Sequence, residues 1–385
     1  MIRCYAGCAC DKGVTVRILT LNPGSSSLKA ALVDDGRAVG WQAWTVDDLS
    51  GHTRAVAEAL SRWPAVDAVA LRFVHGGSRT GPAPVDDALL TALERLAPLA
   101  PLHQPVSLSI AGAVRATRPD LPLVASFDTA FHSGLPEAAA RYPLPRSWTR
   151  QNRLRRYGFH GLSCQYAVRR TAELLDRPVR RLRVVVCHVG AGVSVTAVRS
   201  GQSADTSMGF TALEGAVMAT RSGSVDPGLL LHLLRTEPMT PDELADTLWH
   251  RSGLAGMSGT SGDLRAVLAA ARGGDDDART ALDVYLHRLR REIGAVAMSL
   301  DHLDAVVFTG GVAQHQPEVI ATVVDGLGAL GLHPSVAGPA LGDRLISPPG
   351  AAVPVLIVIP REDLELAREA ELLCGQMPGA CGRVS

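Results

Sequence analysis

Hydrophobic and polar positions along the chain alternate between short β-rich runs and stretches with helical spacing. The pattern predicts β-strands over residues 17–21, 28–33, 65–74, 121–126, 183–187, 304–308 and 353–359. Helical spacing predicts helices over residues 55–62, 86–96, 164–175, 225–234, 241–249, 263–272, 278–300, 317–327 and 362–376. Strands that alternate with helices in this way are typical of an α/β fold.

Two segments share one pattern. Residues 17–24 and 183–190 each contain five strand residues, a polar residue, any residue and then glycine, and each continues into a second strand and a hairpin turn. We interpret the repeat as a duplication, although unrelated hairpins of short strands also look alike. A glycine- and serine-rich turn between two strands is either an ordinary turn or a phosphate cradle built from backbone N–H groups. As a pair of cradles, the two hairpins would hold a nucleotide between two domains.

The composition excludes several classes of protein. A chain of 385 residues with 46% hydrophobic and 20% charged residues is long and apolar enough for two folded domains. The 38 basic and 38 acidic residues leave no net charge to attract nucleic acid or an anionic membrane. No apolar run reaches the roughly 18 residues that span a bilayer. We therefore expect neither a nucleic-acid partner nor a membrane.

The seven cysteines are predicted to be thiols of a cytoplasmic protein, because the chain does not begin with the pattern of an export signal. Cys4, Cys8 and Cys10 crowd together near the start, but a zinc site would need a fourth ligand at suitable spacing. We expect residues 1–15 to form a disordered extension, with a zinc site as the alternative. Lysine and asparagine are nearly absent, so the occurrence of Asn22 and Lys29 in one short segment marks that segment as special.

Seven ordered motifs resemble those of the acetate and propionate kinase family. They are TLNPGSSSLK (20–29), RFVHGG (72–77), APLH (100–103), FDTAFH (127–132), RYGFHG (156–161), DTSMGFT (205–211) with TRSGSVDP (220–227), and TGGV (309–312). The resemblance extends from about residue 16 to residue 373. It implies a duplicated ribonuclease-H-like fold, as in actin and hexokinase, with an active site in the cleft between two domains. It also implies a homodimer.

The resemblance implies domain limits and roles for individual residues. The first domain would comprise residues 16–145 plus 363–385, and the second residues 146–362. Arg72, His160, Arg221 and Asp128 would be catalytic, and Arg72 would also hold the substrate carboxylate beside Val74, Leu102, Phe159 and Ala212. The ATP/ADP site would comprise Asn22, Ser25, Lys29, His188, Gly190, Gly192, Asp263, Arg265, Gly310 and Gly311. Asn22 and Glu362 would lie at a magnesium ion, which manganese can replace.

The residue types suit this chemistry. Transfer of the γ-phosphoryl group of ATP to a carboxylate brings two anions together, and arginine forks match their oxygens. No general base is needed, because the attacking carboxylate is already ionised. Outside their motifs, His103, His132 and His188 would be read as buried, hydrogen-bonded histidines, and Met208 and Phe210 as packing residues.

Several positions depart from the family pattern. Ala191 replaces an asparagine of the second phosphate hairpin, Gln314 and His315 replace a Glu-Asn pair, Ala212 replaces a proline, and Cys164 replaces a histidine. Two functions of different class therefore remain open. One is a reversible ATP-dependent kinase of short-chain carboxylates, with propionate or another phosphoryl donor such as pyrophosphate as variants. The other is a nucleotide-binding relative that has lost turnover and serves a regulatory role.

Overall fold

The computed structural model describes residues 16–24, 27–333 and 342–376. The strands are β1 Arg17–Pro23, β2 Ser27–Asp34, β3 Arg37–Thr45, β4 Ala68–Phe73, β5 Ala83–Pro84, β6 Leu123–Phe127, β7 Arg183–Val189, β8 Val193–Arg199, β9 Gln202–Thr206, β10 Ala305–Thr309, β11 Arg344–Leu345 and β12 Val355–Ile357. The helices are α1 Leu49–Arg62, α2 Asp87–Glu94, α3 Gln104–Thr117, α4 Glu137–Ala140, α5 Arg146–Asn152, α6 Gly161–Leu174, α7 Pro227–Thr236, α8 Pro241–His250, α9 Gly253–Ser258, α10 Leu264–Arg272, α11 Asp276–Ala297, α12 Gly311–His315, α13 Pro317–Asp325 and α14 Glu362–Cys374. Each predicted strand and helix overlaps an observed one.

The strands form two sheets of identical topology. The first has the order β3-β2-β1-β4-β6-β5 and the second the order β9-β8-β7-β10-β12-β11. In both, the central strand pairs antiparallel with the following hairpin strand and parallel with a later strand, as for β1 with β2 and β4, and for β7 with β8 and β10. The predicted duplication of an α/β, ribonuclease-H-like unit is therefore confirmed. Five helices, α7 to α11, lie between β9 and β10, where the first unit has only α1 between β3 and β4.

The last helix returns to the first sheet. Leu366, Ala367 and Ala370 of α14 share a buried cluster with Ile18 of β1 and with the first-sheet residues Ala68, Ala70 and Val124. The apolar positions of α14 therefore cover one face of a sheet that the chain had completed more than two hundred residues earlier. This return places Glu362, the first residue of α14, beside the carboxyl end of β4.

Some predictions lie outside the described residues. These include the N-terminal extension 1–15 with Cys4, Cys8 and Cys10, and also Ser25 and the end of the chain beyond residue 376. In the ranges that are described, none of the helices is both long and apolar enough to cross a bilayer.

Candidate active site

A cleft of about 900 Å³ lies between the two units. Most of the predicted site residues line it: Asn22, Lys29, Arg72, Val74, Leu102, Asp128, Phe159, His160, His188, Gly192, Ala212, Arg221, Gly310, Gly311 and Glu362. They come from both halves of the chain and are up to 340 positions apart, as for Asn22 and Glu362. The fold therefore assembles in one cavity the residues that the motifs singled out.

Arg72 lies at the centre of a polar cluster on the first sheet. Its guanidinium donates to both carboxylate oxygens of Asp128, from Nε at 3.1 and 3.2 Å and from Nη2 at 2.6 Å. Its Nη1 donates to Asn22 Oδ1 at 3.0 Å and lies 3.8 Å from Glu362 Oε2. Arg72 belongs to β4, and Asp128 directly follows β6, which pairs parallel with β4. The carboxyl ends of two neighbouring strands thus bring this ion pair to the cleft.

The cluster is buried, and its charges stabilise one another. Burial alone would lower the pKa of Arg72, but the Asp128 and Glu362 carboxylates raise it, so the guanidinium stays charged. Burial raises the pKa of Asp128, with Arg72 opposing that effect and Glu362 adding to it. The side chain of Asp128 is 1% exposed and that of Arg72 is 13% exposed. Arg72 therefore engages both carboxylate oxygens of Asp128, and both side chains line the cavity.

Two histidines from the second unit stack in the cleft. The rings of His160 and His188 lie 4.1 Å apart at 23°. His160 Nδ1 shares a hydrogen bond with Ser194 Oγ at 2.9 Å, and His188 Nδ1 shares one with Ser163 Oγ at 2.8 Å. Burial, His188 and the nearby arginines lower the pKa of His160 well below its usual value, and burial lowers the pKa of His188 to about 4. Both rings are therefore neutral at physiological pH.

His160 has an unusual backbone conformation, with a φ of 59° in the left-handed region. It directly precedes α6, and the Gly161 amide donates to the Asp128 carbonyl at 3.1 Å. A side chain at Gly161 would collide with that carbonyl, so only glycine allows the two segments to approach so closely. This close approach fixes the catalytic histidine candidate against the Asp128 segment.

Arg221 extends into the cleft close to His160. Its Nη1 donates to the Ala212 carbonyl at 3.0 Å, and its guanidinium carbon lies 5.4 Å from the centre of the Trp249 ring. A Cβ on Gly192 would lie 3.4 Å from His160 Nε2 and 3.6 Å from Arg221 Nη1. The two side chains thus converge beside Gly192. Burial lowers the pKa of Arg221 to about 10, which still leaves it charged at neutral pH.

Four apolar side chains line the cleft, as expected: Val74, Leu102, Phe159 and Ala212. His103 lines the same cavity, and burial together with the charges of Arg72 and Arg221 lowers its pKa to about 3. Outside its motif, His103 would be read as a buried, hydrogen-bonded histidine, but in the structure it is partly exposed and lines the cleft. His132, in contrast, is fully buried, and its ring nitrogens bond to Ser203 Oγ and the Phe159 carbonyl, as its interpretation as a buried, hydrogen-bonded histidine requires.

Five further residues line the cleft: Lys29, Ala191, Gly310, Gly311 and Gln314. Three predicted nucleotide-binding residues do not line it: Gly190, Asp263 and Arg265. The Gly190 amide is engaged by the Gly192 carbonyl at 3.0 Å, within its own turn. The side chain of Asp263 caps α10 and pairs with Arg265 on the surface, where their side chains are 42% and 75% exposed. The structure therefore gives these three residues local roles in turn and helix geometry.

Trp249, Ser163 and Ser194 are site residues that the sequence did not reveal. Each contacts a side chain of the cleft, but tryptophan and serine occur at many other positions and carry no motif here. Ser163 lies on α6, Ser194 on β8 and Trp249 on α8, so only the packing of these three elements at the cleft identifies them.

The residues predicted to hold a divalent metal fit such an ion. Glu362 Oε2 accepts a hydrogen bond from Asn22 Nδ2 at 2.6 Å. Burial acts to raise the pKa of Glu362, but Arg72, His188 and Asn22 lower it overall, so the carboxylate is ionised. One carboxylate and one amide suit Mg²⁺, which takes few protein ligands beside substrate phosphates. Across the ranges that the structure describes, no three His, Cys, Asp or Glu side chains form a closed metal cage.

Comparison with known proteins agrees with the family that the sequence motifs resemble. The sequence model of the Acetokinase family matches residues 53–368. An acetate kinase of Streptomyces avermitilis is 40% identical over 93% of this chain and 98% of its own length, and one of a Synechococcus strain is 45% identical over 80% and 77%.

Solved structures agree. A crystal structure of Porphyromonas gingivalis acetate kinase superposes with a TM-score of 0.83 at 31% identity, covering 93% of this chain and 99% of that one. A propionate kinase from Francisella tularensis superposes with a TM-score of 0.83 at 28% identity, covering 92% and 98%.

Proposed function

Because the chain belongs to the acetokinase family, we propose that the cleft transfers the γ-phosphoryl group of ATP to acetate or propionate, giving an acyl phosphate and ADP in a reversible reaction. The chain is a phosphotransferase with a carboxyl group as acceptor, and ATP and ADP are its nucleotide substrates. The convergence of Arg72, His160 and Arg221 on one cavity is the observation that supports phosphoryl transfer there.

Arg72 is assigned to the substrate carboxylate. Its fork is rigidly held by Asp128, and the small apolar wall of Val74, Leu102, Phe159 and Ala212 lies in the same cavity. The remaining N–H groups on Nη1 and Nη2 would hold the substrate carboxylate while the alkyl group packs on that wall. Asp128 then acts as a positioning residue for Arg72, because its carboxylate oxygens are already engaged by the guanidinium.

His160 and Arg221 are assigned to the phosphoryl group in transfer. The transition state spreads negative charge over three equatorial oxygens, so fixed donors lower its energy. A neutral His160 whose Nδ1 accepts the Ser194 hydroxyl carries its proton on Nε2, the atom that faces Gly192 and Arg221. Arg221 adds a full charge that burial strengthens.

Asn22 and Glu362 would hold a magnesium ion with the nucleotide, and Lys29, His188, Gly192, Gly310 and Gly311 would border its phosphates and nucleoside. When bound, the ion neutralises charge on the β- and γ-phosphates. The proposal also includes nucleotide contacts by Gly190, Asp263 and Arg265. It keeps the domain limits at residues 145/146 and 362/363, and a cytoplasmic location, where ATP is available.

A homodimer belongs to the same proposal. No residue of α7 is buried in the single chain, although the helix contains five leucines, and Leu229 and Leu231 are 48% and 53% exposed. An apolar helix of this kind fits burial against a second copy. Sedimentation equilibrium measures the assembly directly, and a monomer at micromolar concentration would contradict it.

The function is tested by trapping the product. We expect the protein with acetate, ATP and Mg²⁺ to form acyl phosphate, which hydroxylamine converts to a coloured hydroxamate, and omission of ATP is the control. Ala191 favours the alternative of a non-catalytic relative, since the missing side-chain amide weakens the phosphate site. If acetate, propionate and butyrate give no hydroxamate with ATP, GTP or pyrophosphate while calorimetry detects nucleotide binding, the protein is a non-catalytic relative.

A further inference from the structure

Two chain segments form facing walls at the reacting end of the cleft. Residues 156–160 carry Phe159 and His160, and residues 207–221 carry Ala212 and Arg221. The backbones of the two segments meet at Gly209, whose carbonyl accepts from the Tyr157 amide at 2.9 Å and from the Gly158 amide at 3.3 Å. The distance between the walls therefore depends on how the Gly209 region is held.

Three polar side chains hold that region from outside the cleft. Arg156 Nη1 donates to the carbonyls of Ser207 and Met208, both at 3.1 Å, and its Nη2 donates to Glu214 Oε1 at 2.8 Å. The Tyr142 hydroxyl donates to Glu214 Oε2 and accepts from the Phe210 amide at 2.8 Å. Tyr142, Arg156 and Glu214 are not among the residues that line the cleft. We call these three side chains the Glu214 clamp.

The clamp is a closed set of charge-assisted bonds. The guanidinium of Arg156 lies 5.6 Å from the centre of the Tyr142 ring, so each of the three side chains contacts the other two. Burial and the bond to Glu214 raise the pKa of Tyr142, which keeps its hydroxyl protonated as a donor. The exposed fractions of the Arg156 and Glu214 side chains, 17% and 32%, are those of a partly desolvated ion pair. Such bonds are stronger than exposed ones and specify geometry.

The local backbone is built around the clamp. A Cβ at Gly209 would overlap both the Glu214 carboxylate and the Tyr142 hydroxyl, so the clamp closes directly over this residue. From Gly209 the chain passes through Ala212, whose carbonyl holds Arg221. Displacement of the Gly209 region would thus move the apolar wall and the arginine together, while Phe159 and His160 remain anchored through His132 and Gly161.

We propose that Tyr142, Arg156 and Glu214 are positioning residues that set the spacing between the Phe159–His160 wall and the Ala212–Arg221 wall, and thereby determine which carboxylates the cleft accepts. This inference rests on the proposed assignment of these walls to the acyl and phosphoryl groups. Release of the clamp widens the acyl end, so longer carboxylates gain relative to acetate. The nucleotide end, which contains Lys29 and Gly311, is unaffected.

The test compares Tyr142→Phe and Glu214→Gln with the wild type. We expect each variant to raise the KM for acetate at least fivefold and to shrink the ratio of kcat/KM for acetate over butyrate at least threefold, with the KM for ATP within twofold of wild type. Because the Tyr142 and Glu214 side chains share one bond, the double variant should resemble the single variants. Arg156→Lys keeps the charge but loses the fork and should behave in the same direction.

Tyr166→Phe is the matched control. Tyr166 is a half-buried tyrosine of α6 whose hydroxyl makes no hydrogen bond with the described part of the chain, and this variant should leave the ratio unchanged. A purely structural role would lower the melting temperature of Tyr142→Phe without changing the acetate-to-butyrate ratio, and that result overturns the proposal. A rise in the KM for ATP as large as the rise in the KM for acetate would also overturn the proposal.

Two further outcomes remain decisive. If Glu214→Gln does not fold, Tyr142→Phe, which removes a single oxygen, decides the question. If the wild type forms no acyl phosphate, the proposed function fails separately, and calorimetric affinities for acetate and butyrate then replace kcat/KM. An affinity ratio that is the same in Tyr142→Phe and wild type would overturn the clamp.

Discussion

Arg72 and Asp128 form a buried ion pair in which three guanidinium–carboxylate contacts join the ends of two neighbouring parallel strands. The pair leaves Nη1 of Arg72 directed toward Asn22 and Glu362 in the cleft. The reactive edge of the arginine is therefore oriented before any substrate arrives. Preorganisation of this kind accounts for much of the rate enhancement in phosphoryl transfer.

Loss of the fixed donors should abolish most of the activity. We expect Arg72→Ala, His160→Ala and Arg221→Ala each to lower turnover by about a hundredfold or more, since each removes a charge or donor from the transition state. The hydroxamate assay measures the rate, and circular dichroism checks that the fold is retained. Turnover near the wild-type level in any two of these variants would contradict the assignment.

Ala191 should limit nucleotide affinity. A side-chain amide at this position would donate to a charged phosphate, a bond worth about 1.5–3 kcal/mol. The Gly190 amide, engaged by Gly192, does not compensate. We therefore expect Ala191→Asn to lower the KM for ATP by about tenfold, measured at saturating acetate. An unchanged KM would indicate that Gln314, which lines the same part of the cleft, already supplies the donor.

Ala212 should broaden acyl specificity. Compared with a proline, alanine leaves room beside Phe159 for about one methylene, worth roughly 0.8 kcal/mol when buried. We expect the ratio of kcat/KM for propionate over acetate to be several-fold higher in the wild type than in a site with proline. Ala212→Pro should therefore restore the preference for acetate. Specificity constants for acetate, propionate and butyrate decide this. A strict acetate preference in the wild type that Ala212→Pro leaves unchanged would refute the idea.

Glu369 of α14 should make stability depend on pH. It is 6% exposed, and burial raises its pKa to about 7, against 4.5 for the free side chain. Because the folded-state pKa is raised, its contribution to stability is full below pH 4.5 and is lost as the pH rises through 7. The free energy of unfolding of Glu369→Gln minus that of the wild type should therefore increase by about 1–3 kcal/mol from pH 5 to pH 8.

Urea denaturation at several pH values measures this difference. Glu173→Gln is the control, since the side chain of Glu173 is 61% exposed on α6. A difference between Glu369→Gln and wild type that stays constant from pH 5 to pH 8 would show that Glu369 is ionised throughout.

The sequence predicted the buried strands well, because their apolar runs are a local pattern, and most of the motif residues line the cleft. β3 was missed, since Val39 and Trp41 are exposed there and the alternation expected of a half-buried strand is lost. α3 was missed because its serines and its glycine are weak helix formers, and contact with α1 stabilises it instead.

The contacts within the site were harder to predict. The motifs identify Arg72 and Asp128, but their ion pair follows from strand order, which a single sequence does not specify. Similarly, nothing in the local sequence connects Tyr142 with Glu214, or His160 with Ser194, because the partners are 72 and 34 positions apart and meet only in the folded chain. Asp263 and Arg265, which the family resemblance assigned to the nucleotide, pair with each other on the surface, and their role at the nucleotide stays a prediction.

The return of α14 to the first sheet has a consequence for synthesis on the ribosome. Ile18, Ala68, Ala70 and Val124 are translated more than two hundred residues before the helix that covers them. Throughout the intervening elongation this apolar face needs other protection, and a nascent chain at that stage is a natural client for a chaperone. Since Glu362 arrives with the same helix, a chain that stops before it would lack both the cover of this apolar face and one carboxylate of the cleft.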